Sequence, residues 1–153
     1  MKKVGFTIGK FAPLHKGHQY LIETALKEMD EMYVVVYETD KIDVPVEERA
    51  KWIKKLYPHV NLIYAYNPPL QYGLDEESVN IQIKYLEDKI GKIPVTHFYS
   101  SEEYGKCVSE KMNVVDRRVD EKREVIPISA TLVRENLNGY KKFVNEIVYK
   151  DIK

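Results

Sequence analysis

Two short segments carry side chains whose types and spacing suit chemistry. "IGKFAPLHKGHQYLIETAL", Ile8 to Leu26, sets His15 and His18 three residues apart where an apolar run gives way to a helical pattern. "IPISATLVREN", Ile126 to Asn136, sets Ser129 at an N-cap position, Thr131 two residues on and Arg134 a helical turn further. A helix N-terminus leaves backbone N–H groups unpaired and carries partial positive charge, so anions settle there. Imidazoles beside such an end donate hydrogen bonds to phosphate oxygens or carry a proton near neutral pH. Hydroxyls, N–H groups and a guanidinium at one helix start make a clamp for a polyphosphate. Taken singly, each histidine is as well a surface or capping residue, and the second segment a plain N-capped helix. Metal ligation is the weaker reading of the histidine pair, because no carboxylate or third histidine follows at ligand spacing. Neither glycine-rich cradle, GxxxxGK[ST] or GxGxxG, is present.

The elements that must position these segments alternate along the chain. Val4–Ile8 reads as a buried strand, and Leu21, Ile22, Ala25, Leu26 and Met29 share one face of a following helix. Met32–Glu38 is β-branched and continuously apolar, as a strand covered on both faces would be. Pro45 and two acidic residues open a helix that Pro58 ends. Val60–Tyr66 is a third strand, with the rigid loop Asn67–Gly73 after it. Val79, Ile83, Leu86 and Ile90 mark a helix with Gly91 as its C-cap. "VTHFYSS" is a fourth strand, "EEYGKCVSEKM" a short helix, "EVIPIS" a fifth strand or its end, and "ATLVRENL" a helix start. A last helix is expected over Tyr140–Val148. Such alternation implies an α/β fold around a parallel sheet. Ligands in such sheets sit beyond the strand C-terminal ends, where the winding reverses. Three loops therefore matter: those after Ile8 and Tyr66, and the one ending at Ser129.

Composition bounds the rest. At 153 residues the chain is expected to form a single domain over 1–153, and 44% hydrophobic against 31% charged residues fits a globular protein. Lys+Arg and Asp+Glu both number 24, which gives no global electrostatic reason for nucleic-acid or membrane binding. The one cysteine, Cys107, excludes an internal disulfide and a cysteine-rich zinc site, and a cytoplasmic location is expected. The apolar run Val4–Gly9 stops at Lys10, too early for a signal-peptide core. The twelve tyrosines read as half-buried packing.

Together the two segments acquire a more specific meaning. "GKFAPLHKGH" resembles the GxFxPxHxGH motif of the nucleotidyltransferase superfamily, and "ISATLVR" its C-terminal ISxTxxR motif. "VEERAKWIKKLYP", "FYSSEEYG" and "ISATLVRENLNGYKKF" extend the likeness along nearly the whole chain to the nicotinamide-mononucleotide adenylyltransferase module of bacterial bifunctional NAD-salvage proteins. That resemblance implies a Rossmann-like, doubly wound five-stranded parallel sheet with helices on both faces. It also implies transfer of AMP from ATP to a phosphorylated small molecule, with Mg²⁺ held mainly by the ATP phosphates and no protein metal site. His15, His18, Arg134 and Lys10 are then the catalytic candidates, with Gly9, Phe11, Gly17, Ile128, Ser129 and Thr131 binding the nucleotide. The module's tryptophan after the third strand is missing from "NPPLQYGLDEESVN". For the acceptor this leaves Tyr72 or Trp52 as an aromatic platform, with Ser101, Tyr104 and Arg123 beside it; Trp52 is equally a core residue. Arg117, Arg118 and Arg123 form a basic run that reaches the acceptor phosphate or is a solvated face. Alternatives are phosphopantetheine as acceptor, a CTP-dependent relative, or a nucleotide sensor without turnover. The CTP-dependent relatives carry an RTxGISTT-like segment where this chain has "REVIPISAT". A homo-oligomer is compatible with all of them.

Overall fold

The computed structural model describes residues 2–70 and 73–153. Five parallel strands lie in the order β3-β2-β1-β4-β5: β1 Val4–Gly9, β2 Glu31–Tyr37, β3 Asn61–Ala65, β4 His97–Ser100 and β5 Val115–Arg118. The chain winds outward from β1 to β3, returns beside β1 as β4, and continues to β5. The winding therefore reverses between β1 and β4, which creates the switch-point crevice at their C-terminal ends.

The helices are α1 Lys16–Glu28, α2 Val46–Leu56, α3 Glu76–Ile90, α4 Tyr104–Met112, α5 Ala130–Glu135 and α6 Glu146–Ile152. Alternation within β2 shows why both faces are covered. Met32, Val34 and Val36 join a core with Ile22, Trp52, Ile53, Val133 and Val148, so α1, α2, α5 and α6 share that side. Val35 joins Val79, Ile83, Leu86, Phe98 and Val108 on the other, beneath α3 and α4. The predicted Rossmann-like sheet with helices on both faces is thus the observed architecture.

Two expectations need correction. The fifth strand is the charged segment "VDRR", not "EVIPIS". As an edge strand, β5 pairs only with β4, and its half-buried arginines bond to Glu28, Asp116 and Glu121, so the apolar signal is weak. Residues 124–126 give their amides to the Asp120 carboxylate instead of to a sheet. The last helix also begins later: Lys141–Phe143 form a 3₁₀ turn, and Asn145 caps α6.

Candidate active site

The β1–α1 connection is a tightly bonded loop. His15 is the N-cap of α1, a position usually held by Ser, Thr, Asp or Asn. Its Nδ1 accepts the amides of Gly17 (3.1 Å) and His18 (3.3 Å), and Nδ1 of His18 accepts the amide of His15 (3.2 Å). This is a capping box built from two imidazoles. The rings stack at 3.7 Å between centroids, and Phe11 meets the edge of His18 at 4.8 Å. Gly17 is required by contact: a Cβ there would lie 2.9 Å from Cε1 of His15.

These hydrogen bonds fix the chemistry of the pair. An Nδ1 that accepts an N–H carries no proton, so each neutral imidazole holds its hydrogen on Nε2. Burial drives the His15 pKa down to about 4, with the nearby Arg123 guanidinium adding to the fall. His18 is also held well below the ordinary histidine range, by desolvation first, then by His15 and Arg123. At neutral pH both rings are therefore uncharged N–H donors.

Ser129 caps α5, its Oγ accepting the amide of Leu132 at 3.3 Å. Arg134 spans the two halves of the site. Its Nη1 donates to the Ala12 carbonyl at 2.6 Å and its Nη2 to Thr131 Oγ1 at 3.3 Å. Arg123 donates from Nη1 to the Ile128 carbonyl at 2.7 Å, directly before the cap.

A cleft of about 440 Å³ opens at the switch point and joins these groups. Gly9, Lys10, Phe11, His15, Gly17 and His18 line one wall, Ser129, Thr131 and Arg134 another, and Ser101, Tyr104 and Arg123 a third. Ile128 is buried immediately behind Gly17, 3.5 Å from where a Cβ would stand. Thus two of the three loops singled out in the sequence meet here. The described residues of the loop after β3 do not line the cleft; the β4–α4 connection, Ser100 to Tyr104, takes that place.

Trp52 is not at the site. It is 2% exposed in the core under α2, and its indole N–H donates to Asp151 on α6 at 2.8 Å. Tyr72 lies outside the described residues. The basic run divides: Arg117 pairs with Glu28, and Arg118 with Asp116 and Glu121, leaving Arg123 at the cleft. Lys41 and Asp120 also line the cleft and were not foreseen. Their segments are irregular loops, which carry no periodicity to read. Among the described residues, no group of three or more His, Cys, Asp or Glu side chains is placed to hold a metal ion, and no helix is long and apolar enough to cross a membrane.

Comparison with known proteins adds ancestry to this geometry. The family model of the citrate lyase ligase C-terminal domain matches residues 6–69. The trifunctional NAD biosynthesis/regulator protein NadR of Escherichia coli strain K12 is 29% identical over 161 aligned positions, covering 94% of this chain and 39% of NadR. A phosphopantetheine adenylyltransferase of Fusobacterium nucleatum is 33% identical over 97 positions, covering 56% of this chain and 55% of its own. Among solved structures, a NadR protein in complex with NAD and AMP-PNP shares the fold, with a TM-score of 0.63 at 23% identity. That match covers 95% of this chain and 45% of the NadR chain. The chain therefore spans less than half the length of the NadR proteins it matches.

Proposed function

We propose that the chain is a member of the nucleotidyltransferase superfamily, as its matches to NadR and a phosphopantetheine adenylyltransferase support, and that it transfers AMP from ATP to a phosphorylated small molecule. One observation carries the reading. Two neutral Nε2–H donors at the start of α1 share a switch-point cleft with the hydroxyls and guanidinium of α5.

An acceptor phosphate oxygen attacks the α-phosphorus, the new P–O bond forms, and the bond to the β-phosphate breaks to release pyrophosphate. The attacking oxygen is already anionic, so no side chain need activate it. The protein's work is positioning and stabilising charge as it grows on the α-phosphate and leaving group. In this reading His15 and His18 donate Nε2–H bonds to the triphosphate. Ser129 and Thr131 bind its β- and γ-phosphates, while Arg134 neutralises the departing pyrophosphate. Lys10 serves the α-phosphate; Gly9, Phe11, Gly17 and Ile128 shape the pocket around it. Ser101, Tyr104 and Arg123 face the remaining reactant. Among the described residues no group of three carboxylates or imidazoles is placed to hold a metal, and the proposal has Mg²⁺ held by phosphate oxygens and water. When bound, that ion supplies charge neutralisation on the triphosphate.

Nicotinamide mononucleotide is the proposed acceptor, supported by the match to NadR over nearly the whole chain. Phosphopantetheine is the second reading, favoured by the match at 33% identity over a shorter span. A cytoplasmic, nucleic-acid-free and membrane-free setting is part of the same proposal. Pyrophosphate release from ATP, measured with nicotinamide mononucleotide, 4′-phosphopantetheine and a polyol phosphate, tests it. Release with nicotinamide mononucleotide alone is the expected result. Release with another acceptor would move the assignment, and none with any would remove transferase activity.

A further inference from the structure

Among the described residues, Arg49 is the one Lys, Arg, Asp or Glu side chain that is buried, at 0% exposure. It lies on α2, outside the cleft lining, and its hydrogen bonds all go to main-chain carbonyls. Nη1 donates to Lys10 O and to Tyr37 O at 2.8 Å, and Nε donates to Val44 O at 3.0 Å. Nη2 has no partner among the described residues. Glu38 and Glu47 are near enough to favour the charge but are bonded elsewhere, to the Asn67 amide and the Tyr66 hydroxyl. A cation left in the interior without a bonded counter-ion is costly, so its placement calls for a reason.

The three carbonyls supply one. Lys10 follows β1, Tyr37 ends β2, and Val44 closes the loop that begins at Glu38 and carries Lys41. Lys10 and Lys41 both line the cleft. We propose that Arg49 is the positioning residue of this wall, tying the two lysine-bearing loops to each other and to the end of β2 from beneath. The fork geometry explains the residue type. A guanidinium presents donors in several fixed directions, whereas a lysine ammonium is a single point on a flexible stem. Its charge also stands behind the main chain that faces the anion, adding to the potential of the cleft.

The test compares Arg49→Lys with the unaltered protein. Without ligand, amide hydrogen exchange is expected to quicken at least tenfold in residues 9–15 and 38–45, with β4 and α3 unchanged. Unchanged exchange in both loops would overturn the inference. A second arm rests on the cleft being a triphosphate site: ATP is expected to bind at least tenfold more weakly to the variant. Equal affinity would count against Arg49. Failure of the unaltered protein to bind ATP would refute the triphosphate reading instead, and exchange alone then decides on Arg49. Should Arg49→Lys not fold, the Arg49 Nε–H resonance of the unaltered protein keeps the inference testable. It is expected to be exchange-protected and, where the unaltered protein binds ATP, to shift on ATP addition; a resonance that exchanges freely, or that stays in place while ATP binds, would overturn it.

Discussion

The loops after β1 and after β3 both leave C-terminal strand ends, yet they are built differently. The first is cross-tied: two imidazoles cap α1, Arg134 holds Ala12, and Arg49 holds Lys10. Its Phe11, Ala12, Leu14 and His15 are all buried. The second leaves Leu70 84% and Leu74 58% exposed, and its described residues keep clear of the cleft. The tightly bonded loop is the one to which the proposed transfer assigns its phosphate donors. The described residues of the second run over the surface, as loops on a rigid scaffold commonly do.

The sharpest way to break this contrast is to remove a donor from the tied loop. His18→Ala should lower pyrophosphate release by roughly 10²–10³, about 2.7–4 kcal/mol of transition-state stabilisation. Its far-UV circular dichroism should stay native. Near-normal turnover in steady-state assays would strip His18 of its role.

Acid tests the same loop through stability. The folded-state pKa of His15, about 4, lies below the ordinary value of 6.5, so the unfolded chain binds the proton more readily. The stabilisation is complete above pH 6.5 and drains away as pH falls toward 4. Together that shift is worth about 3 kcal/mol. Urea midpoints measured from pH 7.5 to 4.5 should fall accordingly, and His15→Gln should flatten the slope. A midpoint that does not move between pH 6.5 and 4.5 would mean the ring is not buried neutral.

Smaller effects sharpen the other side of the comparison. Trp52→Phe removes the bond to Asp151 while keeping most of the buried ring, so it should cost about 1 kcal/mol. Its acceptor KM should be unchanged; a large rise would return Trp52 to the acceptor site. Leu70→Ser, in the exposed loop, should change stability by no more than about 0.5 kcal/mol in thermal denaturation. A larger loss would show the second loop to be as firmly packed as the first.

What the sequence made legible follows the same division. Strand–helix alternation gave the parallel sheet because β1 and β2 are interior strands with mostly apolar sequences. "VDRR" escaped notice because an edge strand can carry charge, and "EVIPIS" misled because its apolar alternation sits in a loop organised by Asp120. In the site, His15, His18, Ser129, Thr131 and Arg134 were visible because short-range spacing at helix starts fixes their relation. Arg49 and Asp120 were not, since each acts through main-chain atoms brought together only by the fold. The sole tryptophan drew attention as an aromatic platform, but its partners are on α6, far along the chain.

The proposed triphosphate contacts depend most directly on the state of the two imidazoles. Nitrogen-15 NMR of labelled histidine side chains at pH 7, with and without ATP and Mg²⁺, reads that state atom by atom. The prediction is that His15 and His18 are both neutral Nε2–H tautomers and that both Nε2–H signals shift when ATP is added. Protonated rings, Nδ1–H tautomers, or signals indifferent to ATP would contradict it.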